Sequence, residues 1–361
     1  MNILFLIDSL ELGGAQILLK NYFENQQDNK NIHLFVLRST ERMIEITHPN
    51  VSIFNSYSKI SLLPINEIIK IINKNNISIV HCHLFRSQSF AWLIKLFFKR
   101  EIKIIFHEHG EILFHYSILY RPQLILSKYI TDKYIAVSLV TKNALIQQIN
   151  IKTEKIEVIP NFVNFDKYLD LNTQETRILK RTNLKITENE FVIGYVGRLS
   201  EVKGCNILIQ AVKQLTIKYK LIIVGDGKDK EKLENLTKNL DLKDNIKFLG
   251  AIAEVETIYP VFDIVVIPSI SEAFPLVTIE AQISGVPIIG SNIPALSEII
   301  TDEDNGLLFT VNDVDILAKK IEYLFHNQEL RKKIIKNGKE KAKQYNYQNF
   351  VNNLNRIYNE M

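Results

Sequence analysis

Two carboxylates eight positions apart, Glu272 and Glu280, fall where the chain's pattern turns from strand to helix. The apolar run Asp263 to Ile267 predicts a buried strand, Pro268 breaks it, and a helix is predicted from about Leu276 to Ser284, ended by Gly285. Such a turn leaves the backbone N–H groups of Leu276 and Val277 free at the positive end of a helix dipole, which attracts an anion. Carboxylates bind phosphate poorly but accept well from paired sugar hydroxyls. A diphosphate with a sugar on each side, a nucleotide sugar, therefore suits this spacing.

A second constellation lies in YVGRLSEVKG, where Gly197 and Arg198 follow an apolar run and Lys203 and Gly204 come five positions after Arg198 and six after it, at the predicted start of a helix. Guanidinium binds oxygens in pairs and ammonium acts as a point charge, so the two suit a diphosphate. They would also hold the charge of a departing nucleoside diphosphate without a metal or other cofactor. Either alone reads equally well as a solvated surface cation; their coincidence with Glu272 and Glu280 favours phosphate. From Leu221, LIIVGDGKDKEKL predicts a strand ending in a glycine turn, with Asp226 capping the next helix. KFLGAI predicts another, whose tip at Ile252 could receive a flat base. Structural turns explain both equally well.

The first half of the chain offers less definite groups. Gly13 and Gly14 follow the apolar run Asn2 to Ile7 and would permit a tight turn and close approach of a ligand at a helix beginning near Ala15. The three glycines of a dinucleotide fingerprint are absent, which disfavours a nicotinamide enzyme. A strand Ile77 to Val80 runs into His81, Cys82 and His83; alternation puts the two imidazoles on one side, but no third ligand is near in sequence, so a structural role is expected and no metal. The strand Ile102 to Phe106 ends in His107, Glu108, His109 and Gly110, at the edge where open α/β sheets bind ligands. The aromatic stretch Glu111 to Gln123 could shape an acceptor pocket or cover the sheet. Ser87 to Arg100 predicts a helix with Trp92, Leu96 and Phe97 on its apolar face and Lys95, Lys99 and Arg100 at its end, either a core helix or part of a surface meeting an anionic membrane.

Short apolar runs alternate with amphipathic segments throughout the 361 residues, which predicts two α/β domains. Strands are expected near 33–37, 51–55, 134–137 and 156–159 in the first, and at 192–196, 221–224, 246–248, 263–267 and 287–290 in the second. Pro64 opens a helix with Ile65, Ile68, Ile69 and Ile72 on one face. Residues 161–189 form a polar connection with one short helix. Cys82 and Cys205 supply neither a ligand set nor a disulfide framework. The apolar start ends at Asp8 without a basic leader, and no run approaches the roughly 18 apolar residues of a membrane span, so a cytoplasmic protein is expected. The net charge is +4, with a local excess between Lys59 and Glu157, where 14 basic residues face 7 acidic ones. That is too little to indicate nucleic acid, and it admits a weak contact with an anionic surface on the inner face of the cell membrane.

Taken in order, Gly197-Arg198, Lys203-Gly204, Val224-Gly225-Asp226-Gly227, Phe248-Leu249-Gly250 and the E-x7-E pair Glu272 and Glu280 resemble the retaining glycosyltransferases of family 4. The first half matches at Gly13-Gly14-Ala15-Gln16, His109-Gly110, Ala136-Val137-Ser138 and Val158-Ile159-Pro160-Asn161. The resemblance implies the GT-B fold, two Rossmann-like doubly wound domains facing each other across a cleft. It implies an acceptor-binding domain over 1–165, onto which a C-terminal helix of about 345–361 returns, and a nucleotide-sugar-binding domain over 166–344. Arg198 and Lys203 would hold the donor diphosphate, Glu280 the ribose, Glu272 with the loop at Phe274, Leu276 and Val277 the transferred sugar, and His109 a hydroxyl of that sugar. Gly13, Gly14 and Ile252 would complete the donor-binding set. Ala273 and Pro275 stand where the family often has glycines, and Gln16 where it often has glutamate, which bears on the donor sugar.

The activity expected is transfer, with retention, from a UDP-sugar to a glycan or lipid-linked saccharide, as in surface polysaccharide synthesis. No carboxylate is an evident nucleophile for a double displacement, so same-face attack is expected, with Arg198 and Lys203 stabilising the departing phosphate. A nucleotide-sugar epimerase using His107, Glu108 and His109 is the alternative within the fold, and a non-catalytic sugar-nucleotide binder a third reading.

Overall fold

The computed structural model describes residues 1–361 except 12, 42, 99–101, 111–120, 172 and 188, with only the backbone of 121, 123 and 124. The aromatic stretch 111–120 and the cations Lys99 and Arg100 thus lie outside the described residues. The chain divides into two units, Met1–Phe162 with Tyr347–Met361, and Val163–Asn346.

The first unit is built on a seven-stranded parallel sheet: β1 (Asn2–Ile7), β2 (Ile32–Val36), β3 (Val51–Ile53), β4 (Ile77–His83), β5 (Lys103–Glu108), β6 (Lys133–Ala136) and β7 (Ile156–Val158), in the order β3-β2-β1-β4-β5-β6-β7. Its central strands read as continuous apolar runs because helices cover both faces. Leu4, Leu6, Val80 and Phe106 point to a core shared with the helices Pro64–Lys74 and Phe85–Phe98. In the first of these helices Ile68 and Ile72, four apart, are the buried isoleucines, and proline at its start forfeits no helical hydrogen bond.

Phe5, Ile7 and Ile105 point the other way, to the helix Gly14–Glu24 and to the last helix of the chain, Tyr347–Asn359. That last helix buries Phe350, Val351, Leu354, Ile357 and Tyr358, a stripe at helical spacing. Phe350 meets Phe162 with ring centroids 4.9 Å apart. Burial of Phe350 and Leu354 stabilises the return of the chain by about 1.5–3 kcal/mol each.

The second unit has a six-stranded parallel sheet of β8 (Phe191–Val196), β9 (Tyr219–Val224), β10 (Ile246–Gly250), β11 (Ile264–Ile267), β12 (Ile288–Ser291) and β13 (Leu307–Phe309), ordered β10-β9-β8-β11-β12-β13. In each sheet the strand order reverses beside the first strand, at β1/β4 and at β8/β11, and ligands of open α/β sheets bind at the carboxyl end of such a point.

Four expectations are corrected. β4 continues through His81 to His83, since parallel pairing with β5 holds it extended. β13 is too short to show as a periodic run. The connection 161–189 carries two helices, Asp166–Leu169 and Gln174–Asn183; Arg177 and Arg181 of the second reach Asp263 at 2.5 and 2.6 Å and so anchor it to the sheet. The helix Phe85–Phe98 turns Phe90, Ala91 and Ile94 to the core, leaving Leu96 74% and Phe97 58% exposed and Trp92 half-buried. Among the described residues no helix is long and apolar enough to cross a membrane.

Candidate functional site

Glycines set the carboxyl edge of the second sheet by letting backbone meet backbone. Gly204, at φ +66°, precedes the helix Cys205–Val212, and a Cβ there would come within 1.9 Å of the Pro268 carbonyl oxygen beyond β11. A Cβ on Gly225, at φ +135°, would meet the Gly197 carbonyl oxygen at 1.8 Å. The loop after β8 is thereby pressed against those after β9 and β11. The Ile270 N–H donates to Val202 O at 2.8 Å, fastening the turn that carries Lys203 to the loop that carries Glu272.

The outcome is a direct contact between two predicted groups. Lys203 Nζ donates to Glu272 Oε1 at 2.5 Å, and Ser269 Oγ donates to the same oxygen at 2.8 Å. Arg198 lies exposed in the same turn, its carbonyl accepting from Tyr195 Oη at 3.0 Å. The helix Leu276–Ile283 brings Glu280 in from behind, where Tyr259 Oη donates to its Oε2 at 2.6 Å. Burial raises the Glu280 carboxyl above its ordinary range, and hydrogen bonds from Tyr259 and Tyr168 oppose the rise. Tyr259, Tyr168 and Ser269 belong to no recognisable spacing, and nothing in the sequence marks them.

Two details of this edge differ from expectation. The Leu276 N–H is not free but donates to Phe274 O at 3.1 Å, closing an inverse γ-turn on Pro275 at φ −82° and ψ 88°. Proline fixes that φ, and the turn uses the amide an anion would have met. Asp226 caps no helix; its Oδ1 accepts from the adjacent Gly227 N–H at 2.7 Å, while Asp229 precedes the helix Lys230–Asn239. Ile252 and Phe274 are both half-buried against one core, and the Phe274 ring meets Tyr345 at 5.6 Å between centroids.

The first unit's edge is made differently. The helix there starts at Gly14, one residue before the expected Ala15. Gly13 is extended at φ −171°, and neither it nor Gly14 has a positive φ, so this turn does not demand glycine. Beside it Asp8 accepts from Arg38 Nη2 and Arg86 Nη1, both at 3.0 Å, two cations on one carboxylate that no local spacing marks, because the three residues follow β1, follow β2 and open the helix Phe85–Phe98.

Further along, His81 and His83 of β4 and His107 and His109 at the end of β5 share one sheet face. His83 Nδ1 lies 2.8 Å from His109 Nε2, and His81 Nδ1 lies 2.7 Å from Tyr358 Oη on the last helix. Burial lowers the pKa of all four and keeps them neutral. The third histidine that the sequence could not supply to His81 and His83 is His107, paired in register with His83. Glu108 points to the opposite face and accepts from Gln88 Nε2 at 2.6 Å. His107 and Glu108 are both buried, so neither can be offered to a sugar as an epimerase would require.

Comparison with known proteins follows the same division. The family model for glycosyl transferases group 1 matches residues 176–341, and that for glycosyltransferase family 4 matches residues 13–167. The chain is 30% identical to an uncharacterized glycosyltransferase of Methanocaldococcus jannaschii, over 97% of this chain and 95% of that protein. It is 30% identical to the capsular polysaccharide biosynthesis glycosyltransferase CapM of Staphylococcus aureus, over 68% of this chain and 66% of that one. Among solved structures, Anabaena HepE in complex with UDP-glucose superposes with a TM-score of 0.87 at 22% identity, covering 100% of both chains, a likeness of fold.

Proposed function

We propose, from the premise that this chain belongs to the family 4, group 1 glycosyltransferases and has their GT-B fold, that it transfers a hexose from a UDP-sugar to a glycan or lipid-linked saccharide with retention. The observation that carries the donor assignment is the meeting of Lys203 with Glu272 at the carboxyl edge of β8 and β11, with Glu280 held on Tyr259 behind them. A uridine nucleotide fits the UDP-glucose named in the HepE complex, and polysaccharide synthesis fits the name of CapM.

In this reading Glu280, with one oxygen fixed by Tyr259, offers the other to the ribose hydroxyls. Arg198 and Lys203 take the diphosphate. Glu272 already accepts two hydrogen bonds at Oε1, so it serves to orient the sugar through Oε2 and is not the base. The C1–O bond to phosphate breaks as the acceptor oxygen bonds to C1 on the same face, and the acceptor's proton passes to the departing β-phosphate oxygen. Arg198 and Lys203 stabilise that oxygen's charge. The family resemblance gives His109 a hydroxyl of the transferred sugar; within the first unit its Nε2 lies 2.8 Å from His83 Nδ1 and its Nδ1 is buried.

The test is to supply UDP-glucose, UDP-galactose and their N-acetyl counterparts with a panel of saccharide and lipid-linked acceptors, measuring UDP release and the anomeric configuration of the product. Inverted product would overturn the mechanism, and release from none of these donors would overturn the donor class.

A lipid-linked acceptor would bring the protein to a membrane surface. The exposed Leu96 and Phe97 support weak peripheral contact. Of the described cations near them, Lys95 and Lys103 both pair with Asp132, at 3.4 and 3.3 Å, and are thereby less available to a lipid surface.

A further inference from the structure

We propose that His81, His83 and His107 form a binding site for one divalent transition-metal ion of the zinc type, inside the first unit. The site is independent of the reading of the second unit's edge.

An H-x-H pair on one strand puts two imidazoles on the same sheet face, and a third ligand must come from a neighbouring strand. β4 and β5 supply it, for His83 pairs in register with His107. The ring centroids form a triangle with sides of 4.5 Å (His81–His83), 4.9 Å (His83–His107) and 5.3 Å (His81–His107). One ligand nitrogen from each residue lies within 4.8 Å of the other two. Three imidazoles on one zinc ion, at about 2.0–2.1 Å per bond, have nitrogens roughly 3.4 Å apart. To hold an ion the rings, now 15–42° from parallel, would have to turn so that one nitrogen of each converges on it.

The hydrogen-bond pattern points the same way. His81 and His83 each have Nδ1 engaged, with Tyr358 Oη and with His109 Nε2, while each Nε2 is buried without a partner. His107 has both ring nitrogens buried and unpartnered. For His81 and His83 this is the arrangement of metal-binding histidines, one nitrogen fixed by a neighbour and the other left to an ion, and His107 leaves either nitrogen for it. Nitrogen ligands without carboxylate suit zinc, cobalt, nickel or copper and not magnesium or calcium. Because Tyr358 closes the last helix onto His81, an ion here would fasten Tyr347–Asn359 to the sheet.

The test uses the full chain without a histidine tag, stripped with chelator and titrated with Zn2+ or Mg2+. The expected result is one zinc per chain by calorimetry, a rise in Tm with zinc and none with magnesium, and three imidazole ligands in the X-ray absorption spectrum of the wild-type zinc protein. His107→Gln should lower zinc affinity roughly a hundredfold or more with an unchanged far-UV spectrum. The absorption spectrum needs no variant and decides the matter if His107→Gln does not fold. Absence of stoichiometric zinc, fewer than three imidazoles, or unchanged affinity in a folded His107→Gln would overturn the site.

Discussion

Both units carry a parallel sheet whose strand order reverses beside its first strand, yet their carboxyl edges are built from different materials. In the second unit, backbone lies against backbone at Gly204 and Gly225, and charged side chains stand on that frame. In the first, the turn at Gly13 and Gly14 requires no special conformation, and the edge is filled by buried imidazoles and by arginines shared on Asp8. A site that depends on backbone proximity constrains residue type at fixed spacings. A site that depends on side chains from distant loops leaves no such trace.

The largest expected effect tests whether the second edge is the donor half. Lys203→Ala and Glu280→Ala should each cost about 2–4 kcal/mol of transition-state stabilisation, read as a loss of kcat/KM in nucleotide release. Wild-type rates in either would break the contrast drawn between the two edges.

Next comes the backbone difference itself. Gly204→Ala places a methyl group 1.9 Å from a carbonyl oxygen at positive φ and should destabilise by about 2–3 kcal/mol in urea unfolding. Gly13→Ala should cost under about 1 kcal/mol, since its added carbon comes closer than van der Waals contact only to the end of the Gln16 side chain. Equal costs would show that the two glycine turns are alike after all.

Tyr259→Phe sharpens the role of Glu280. Loss of that hydrogen bond is expected to cost about 1 kcal/mol, seen in the KM for the donor more than in kcat. Burial already raises the Glu280 carboxyl, and Tyr259 holds it down. Donor affinity, which needs the ionised acceptor, should therefore fall as pH drops through the raised pKa, and in Tyr259→Phe the fall should begin at higher pH. Stability runs oppositely, because a carboxyl with a raised folded-state pKa stabilises the fold when protonated and that contribution is lost as pH rises. A pH profile of KM identical in the two proteins would remove Glu280 from the ribose.

The smallest effect lies on the first unit's surface. Binding to vesicles of anionic lipid should be weak, lost at high salt at about 1 kcal/mol per cation involved, and reduced by Leu96→Ser with Phe97→Ser. Binding to neutral vesicles of equal strength would exclude the electrostatic part.

The sequence by itself determined the two α/β units, the strand-to-helix turns at Gly197–Gly204 and Ile267–Ser284, and the grouping of Arg198, Lys203, Glu272 and Glu280. Those follow from hydrophobic period and from residues that only glycine or charge can replace, which are local properties. Tertiary structure alone decided that Lys203 pairs with Glu272, that Tyr259 backs Glu280 from 21 positions away, and that Pro275 spends the Leu276 amide in a γ-turn. It decided also that His107 stands beside His83, because strand register is set by the whole sheet and by the helices that cover it, and no short window of residues contains that information.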